Sequence, residues 1–402
     1  MMSIDCINLH EAIRVKTDGT CTSCCLQSIP YKDEQHKNLN VRTHTLHEII
    51  NGETANKIRK DVANGIQNIY CKPCWDIENS GGVSKRIDDN TNRKNENFVG
   101  REWQPGEVKL THLDMNMGTT CNIKCMTCGP ESSAQWNKEF WAINESYHGI
   151  QDKKEYNEFI KVYNSSFDDD SLIWEELTKN KNTIESIDMY GGEPMLMKKQ
   201  WLFLEELIKD GLASNIALHY NTNGTIWDSE KYDILKHFGR VSIDFSIDGI
   251  LDRFEYMRFP ANWREVLHNM NTIKQIEKFE VKICHTVSVL NVWYMKEFLD
   301  YFIKWDYYLN IVHGPDHYNV KNLPADIKEL ITEKYKEFPK VDKIIDYMNE
   351  NKSVYPRHWY KEEYIEFFPE LKRNIEGSDN FRGNDYSKTF PEFYEILKES
   401  GY

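Results

Sequence analysis

Three cysteines spaced Cys121-x-x-x-Cys125-x-x-Cys128 are the residues in this chain best suited to chemistry. Thiolates are soft ligands that suit zinc or iron–sulfur clusters. Three of them on one short loop can hold three irons of a [4Fe–4S] cube and leave the fourth iron open to a ligand. The other reading is a zinc site in which a distant Cys or His fills the fourth place. A second group lies nearer the N-terminus: Cys21, Cys24 and Cys25, then Cys71-Lys-Pro-Cys74. Two pairs separated by a helical spacer could form a four-thiolate site. The expected set is Cys24, Cys25, Cys71 and Cys74. Adjacent ligands are sterically awkward, so Cys21 could replace one of them, and zinc remains an alternative metal. Cys6 and Cys284 are expected to be buried small hydrophobes.

These residues need elements to position them. From about Val108 short β-rich runs alternate with helical stretches. The expected strands are Lys109–Asn116, Ser186–Tyr190, Ile216–Asn221, Val241–Ile247, Val281–Val287 and Asn310–His313. Lys198–Asp210, Trp263–Glu277 and Val292–Trp305 have helical apolar spacing. Such alternation predicts parallel βα units, and six strands fit a partial barrel better than a closed one of eight. The triad follows the first strand, at the end where parallel barrels keep their sites. Glu145–Asn182 reads as a helical insertion. Residues 1–105 form an N-terminal cysteine-rich region with a helix over Leu46–Asn64. Its polar run Ser84–Asn97 is expected to be a solvated linker. Residues 106–320 form the barrel and 321–402 a helical tail.

Tyr190-Gly191-Gly192-Glu193-Pro194 follows the second strand. Paired glycines allow close approach to backbone, and Glu193 offers a carboxylate to an ammonium group. With the triad, Asn221-Thr-Asn-Gly224 and Ser246-Ile-Asp-Gly249, this set resembles the radical S-adenosylmethionine (radical SAM) superfamily over about residues 106–315. The resemblance implies an α/β fold with a partial (β/α)6 barrel and a [4Fe–4S] cluster on Cys121, Cys125 and Cys128. It implies SAM chelating the open iron, with Gly191, Gly192, Glu193, Pro194, Asn223, Ser246, Asp248 and Arg258 at cofactor-binding positions. Thr127 departs from the aromatic or bulky residue usual before the third cysteine. The N-terminal group is similar to the twitch and SPASM domains, which implies an auxiliary [4Fe–4S] cluster, although that domain usually follows the barrel. His313 and His317 flank Gly314-Pro315 and either face substrate or serve the structure.

Hydrophobic residues make up 40% and charged residues 28% of the 402, which excludes a disordered chain. The net charge of −14 disfavours a large nucleic acid and would suit a basic peptide. No apolar run is long enough to span a bilayer. The opening MMSIDCINLH lacks the apolar stretch of a signal peptide, and the closing ESGY carries no lipidation box. A cytoplasmic location is therefore expected. The expectation is an enzyme that makes a 5′-deoxyadenosyl radical and takes hydrogen from a substrate. That substrate is a peptide or protein first, a small metabolite or nucleoside second. The electron donor would be a flavodoxin or ferredoxin. The rival class is a non-catalytic zinc-binding scaffold.

Overall fold

A computed structural model describes residues 5–79, 81–92, 108–116, 118–148, 153–164, 166–168, 170–350 and 367–402. The strands are β1 (Ala12–Val15), β2 (Cys21–Thr22), β3 (His112–Asn116), β4 (Ser186–Tyr190), β5 (Ala217–Thr222), β6 (Arg240–Ser246), β7 (Phe279–Val287) and β8 (Tyr307–Ile311). They form an eight-stranded sheet in the order β2-β1-β3-β4-β5-β6-β7-β8. The pairs β1·β3, β3·β4, β4·β5 and β7·β8 are parallel, and β2 turns back antiparallel on β1. With helices between β3 and β8, this is the expected βα series. The last strand falls three residues earlier than its sequence pattern placed it. The cysteine-rich region contributes β1 and β2, which the pattern did not reveal.

Two compact units emerge. The first comprises Met1–Thr120, Val162–Asn221 and Asp228–Ser242, the second Cys121–Lys161, Thr222–Trp227 and Ile243–Tyr402. In the first, side chains alternate across β3, β4 and β5 with the two-residue period of a strand. Leu113, Met115, Ile187, Met189, Leu218 and Tyr220 are buried on one face. The other face carries a polar row in register: Arg14 beside Asp114, Asp114 beside Asp188, Asp188 beside His219. Parallel strands are usually apolar on both faces, so a polar face here needs another reason.

The helix expected over Leu46–Asn64 is two helices, Leu46–Ile50 and Glu53–Ala63. Thr45 and Glu48 cap the first reciprocally. Gly52 caps the second where a Cβ would meet the Glu48 carbonyl at 2.9 Å. The run expected to be a solvated linker instead begins with a helix, Lys85–Asn92, and Ser84 and Arg86 are buried. Its remainder, 93–97, lies outside the described residues. In the second unit the C-terminal region is helical, with Ala325–Tyr335, Asp342–Asn349, Phe367–Arg382 and Pro391–Glu399. No helix among the described residues is long and apolar enough to cross a membrane.

Candidate active site

In the second unit, Cys121, Cys125 and Cys128 lie on a loop without regular structure. Cys125 is buried, while Cys121 and Cys128 are half-buried. The loop is held as backbone. Lys124 N donates to Phe259 O at 2.7 Å and Met126 N to Met257 O at 2.8 Å. Trp136 Nε1 donates to Cys125 O at 2.9 Å, and Ser133 Oγ to Ile123 O at 2.7 Å. Buried polar groups satisfied this fully fix a loop in one conformation.

Between the two backbone bonds lies Arg258, which is 7% exposed. Its Nη2 pairs with Asp248 Oδ2 at 2.7 Å, and its Nη1 lies 3.6 Å from Cys125 Sγ. Asp248 is fully buried and also accepts from Thr286 N at 3.1 Å. The Asp248 carboxylate, helped by the nearby thiols, outweighs burial and raises the Arg258 pKa. A hydrogen bond from Cys128 and, against burial, the Arg258 charge draw the Cys125 thiol below its ordinary value. Cys128, as donor in a buried site, is pushed well above it. Arg258 was expected at a cofactor-binding position; its Nη groups face Asp248 and Cys125, and its Nε has no hydrogen-bond partner among the described residues. Asn223 Nδ2 donates to Asn122 Oδ1 at 3.0 Å and lies 3.9 Å from Cys121 Sγ. Ser246, half-buried, ends β6.

In the first unit the Gly191-Gly192 turn follows β4, with φ of +76° and +47°. A Cβ on Gly192 would lie 2.2 Å from Thr120 O and 3.2 Å from Gly118 O. Only glycine fits this close approach, which packs the turn on the residue preceding Cys121. Glu193 N donates to Thr120 O at 2.8 Å. The Glu193 side chain is 1% exposed and caps the short helix Pro194–Leu196 through Met195 N. Pro194 is buried in that helix.

The first unit also holds the N-terminal cysteines. A small pocket is lined by Cys6, Cys24, Cys71 and Cys74, with Lys85 and Arg86 on its wall. Cys25, expected as a ligand, is exposed and outside that lining. Cys21, the expected substitute, is fully buried, and its thiol donates to Gly19 O. Cys6, expected as a plain hydrophobe, takes a place on the wall. Cys24 and Cys25 lie in the bend and turn that follow β2, where Cys24 lines the cavity and Cys25 is exposed. Burial pushes the Cys6 thiol up to about 12 and Cys71 to about 11. Gln27 Nε2 donates to Cys71 Sγ at 3.6 Å, and Arg86, ion-paired with Glu78, stacks over Trp75. Four crowded thiols that resist ionisation become acceptable as thiolates only beside strong positive charge, which irons would supply. The soft thiol donors of each cysteine site suit an iron–sulfur cluster by their chemistry, and among the described residues no three His, Cys, Asp or Glu side chains stand in the geometry of a single bound metal ion.

The polar sheet face completes the inventory. Arg14 Nε lies 3.7 Å from Asp114 Oδ2, His112 Nε2 3.4 Å from Asp188 Oδ2, and His219 Nδ1 3.8 Å from Asp188 Oδ1. Burial, and then the Asp188 charge against Arg14, raise the Asp114 pKa. Of the histidines singled out in the sequence, His313 bonds to Tyr347 OH at 3.0 Å, and His317 is buried.

Comparison with known families now decides the class. The profile of the "Radical SAM superfamily" matches residues 115–302. Residues 115–302 are a radical SAM domain. A profile described as an iron–sulfur cluster-binding (SPASM) domain matches residues 6–75, beginning at Cys6. The radical SAM domain brings with it a [4Fe–4S] cluster and SAM, and the SPASM domain an auxiliary iron–sulfur cluster. Among curated proteins, the sporulation killing factor maturation protein SkfB of Bacillus subtilis (strain 168) is 28% identical over 109 residues. That match covers 26% of this chain and spans only 24% of the relative's length. Among solved structures, native anSMEcpe with bound AdoMet and Cp18Cys peptide matches at 15% identity. It covers 58% of this chain and 59% of that one, with a TM-score of 0.36. Streptococcus suis SuiB bound to precursor peptide SuiA matches at 13% identity, covering 83% and 70%, with a TM-score of 0.36.

Cys6 is a cavity residue that sequence reasoning left out of the auxiliary set. It lies 12 residues before Asp18-Gly19 and was not grouped with the rest. Ser84, Lys85 and Arg86 belong to the twitch-like pattern that follows Cys71 and Cys74, but the burial of Ser84 and Arg86 was hidden by a polar composition that resembles linker.

Proposed function

We propose that this chain catalyses SAM-dependent radical hydrogen abstraction on a peptide or protein substrate. The observation that carries the proposal is the Cys121–Cys128 loop, whose backbone is locked and whose buried thiol faces the Arg258–Asp248 pair. When bound, a reduced [4Fe–4S] cluster and SAM supply the 5′-deoxyadenosyl radical that takes the hydrogen atom. The chain's own residues hold and shield. Cys121, Cys125 and Cys128 bind the cluster. Arg258 balances thiolate charge beside Cys125, and Asp248 keeps that guanidinium in place. Asn223 fixes the Cys121 end of the loop through Asn122. The Gly191-Gly192 turn offers backbone to the cofactor, with Glu193, Pro194 and Ser246 completing the cofactor-binding set. Cys6, Cys24, Cys71 and Cys74 hold the auxiliary cluster.

Three features support a peptide substrate. SkfB is by name a maturation protein. A SPASM domain accompanies the radical SAM domain. The polar face of β3–β5 carries two carboxylates, Asp114 and Asp188, among Arg14, His112 and His219, a set able to hydrogen-bond a polar side chain. An electron donor of the flavodoxin or ferredoxin class and a cytoplasmic location belong to the same reading.

Anaerobic incubation with SAM, reductant and a library of basic peptides tests this. The expected result is a mass change in a peptide, with its deuterium, when labelled, recovered in 5′-deoxyadenosine. Turnover of a nucleoside or small metabolite in place of every peptide would overturn the substrate class.

A further inference from the structure

The C-terminal helix Phe367–Arg382 lies beyond both matched domains, yet its last residue reaches the cluster loop. The Arg382 side chain is fully buried, and so is that of its partner Glu139, whose Oε1 lies 2.8 Å from Arg382 Nε. Glu139 Oε2 lies 2.6 Å from Lys124 Nζ, and Lys124 stands directly before Cys125. Arg382 Nη1 lies 3.2 Å from the sulfur of Met126, the residue directly after Cys125. The guanidinium also stacks over Trp136 at 4.7 Å, and Trp136 Nε1 donates to the Cys125 carbonyl. One buried cation thus holds both neighbours of Cys125 and the ring that anchors its backbone.

Such placement has a cost. Burying an ion pair gains little against an apolar replacement of the same shape, so a purely structural helix end would more simply be apolar. The helix is also brought unusually close. A Cβ on Gly377 would lie 2.7 Å from Ile143 Cγ1, on the helix that supplies Glu139. Glycine in a helix interior is destabilising relative to alanine, and here it permits close packing of the two helices that carry Arg382 and Glu139.

We propose that Arg382 is a positioning residue for the radical-generating cluster. Through Glu139, Lys124, Met126 and Trp136 it fixes the segment that carries Cys125, so that the C-terminal helix belongs to the cluster's supporting shell. The proposal rests on the iron–sulfur reading of the Cys121–Cys128 loop. Arg suits this task because its planar fork can address a carboxylate, a sulfur and an aromatic face at once.

The test compares reconstituted wild type, Arg382→Met and Arg382→Lys by iron release to a chelator and by the electron paramagnetic resonance spectrum of the reduced, SAM-bound protein. Partners around a metal ligand typically contribute 10–100-fold in metal affinity, so the barrel cluster of Arg382→Met should be lost about tenfold faster. The auxiliary cluster should be released at the wild-type rate, which shows that the fold is intact. Arg382→Lys, which keeps the charge opposite Glu139 but lacks the fork, should recover only part of the retention, and the SAM-bound spectrum of Arg382→Met should be altered. Release at the wild-type rate with an unchanged spectrum would overturn the proposal. If Arg382→Met does not fold, Met126→Leu removes only the sulfur contact and should still speed release several-fold; no change there overturns it as well. Wild type that takes up iron at neither site would refute the cofactor reading itself.

Discussion

Asp248 and Arg258 form a buried ion pair in which each residue has little value alone. Removing one partner leaves an uncompensated charge in a site that excludes water. Asp248→Ala is therefore expected to destabilise the metal-free chain by about 3–5 kcal/mol, read as a fall in the denaturant midpoint. A change within error would mean that Arg258 finds water or another partner. His317 behaves differently. Burial, and then the Arg373 charge, lower its pKa from 6.5 to about 3. A Glu370 oxygen lies 3.9 Å from its Nδ1, but Arg373 already engages that carboxylate. The folded state binds no proton at His317 where the unfolded chain does, so stability falls as pH drops from about 6.5 towards about 3. At pH 5 the loss relative to pH 7 from this residue is about 2 kcal/mol. His317→Gln should reduce the pH dependence of the unfolding free energy by that amount. An unchanged dependence would place the proton elsewhere.

At the scale of elements, the sequence made the βα series legible because the strands from β3 to β7 are short β-rich runs, alternating apolar and polar in β3–β5, separated by helical stretches. The barrel triad and the GG turn were legible because spacing along one chain segment is itself the geometry. The auxiliary site was only half legible. Cys24, Cys71 and Cys74 line the cavity, and Cys6 lines it where Cys25 does not, since which of two adjacent side chains faces a cavity depends on local backbone direction. The strand β1 was missed because four residues, Ala12–Val15, are too few to show a period. The burial of Arg86 was not legible because it depends on Glu78 and Trp75, which pack against it only in the fold. The element-level expectation follows from the cavity. Cys6→Ala should lower auxiliary iron in the reconstituted protein, and Cys25→Ala should leave it at the wild-type value, with metal analysis as the readout. The reverse pattern would restore the assignment that sequence alone suggested.

At the scale of the whole molecule, the chain joins a radical SAM domain to an iron–sulfur domain that precedes it. Two cubes of four irons require about eight irons per chain after full reconstitution. A value of about four irons with one zinc would instead make the N-terminal site a zinc staple, while leaving the barrel site standing. The central claim is that the Cys121–Cys128 loop supports reductive cleavage of SAM. Its most direct test is anaerobic production of 5′-deoxyadenosine from SAM and dithionite, without added substrate, by reconstituted wild type and by Cys121→Ala, Cys125→Ala and Cys128→Ala. The account predicts cleavage by wild type and its loss in all three variants, because each removes one thiolate from a three-thiolate cube. Cleavage at the wild-type rate in any one of them would contradict it.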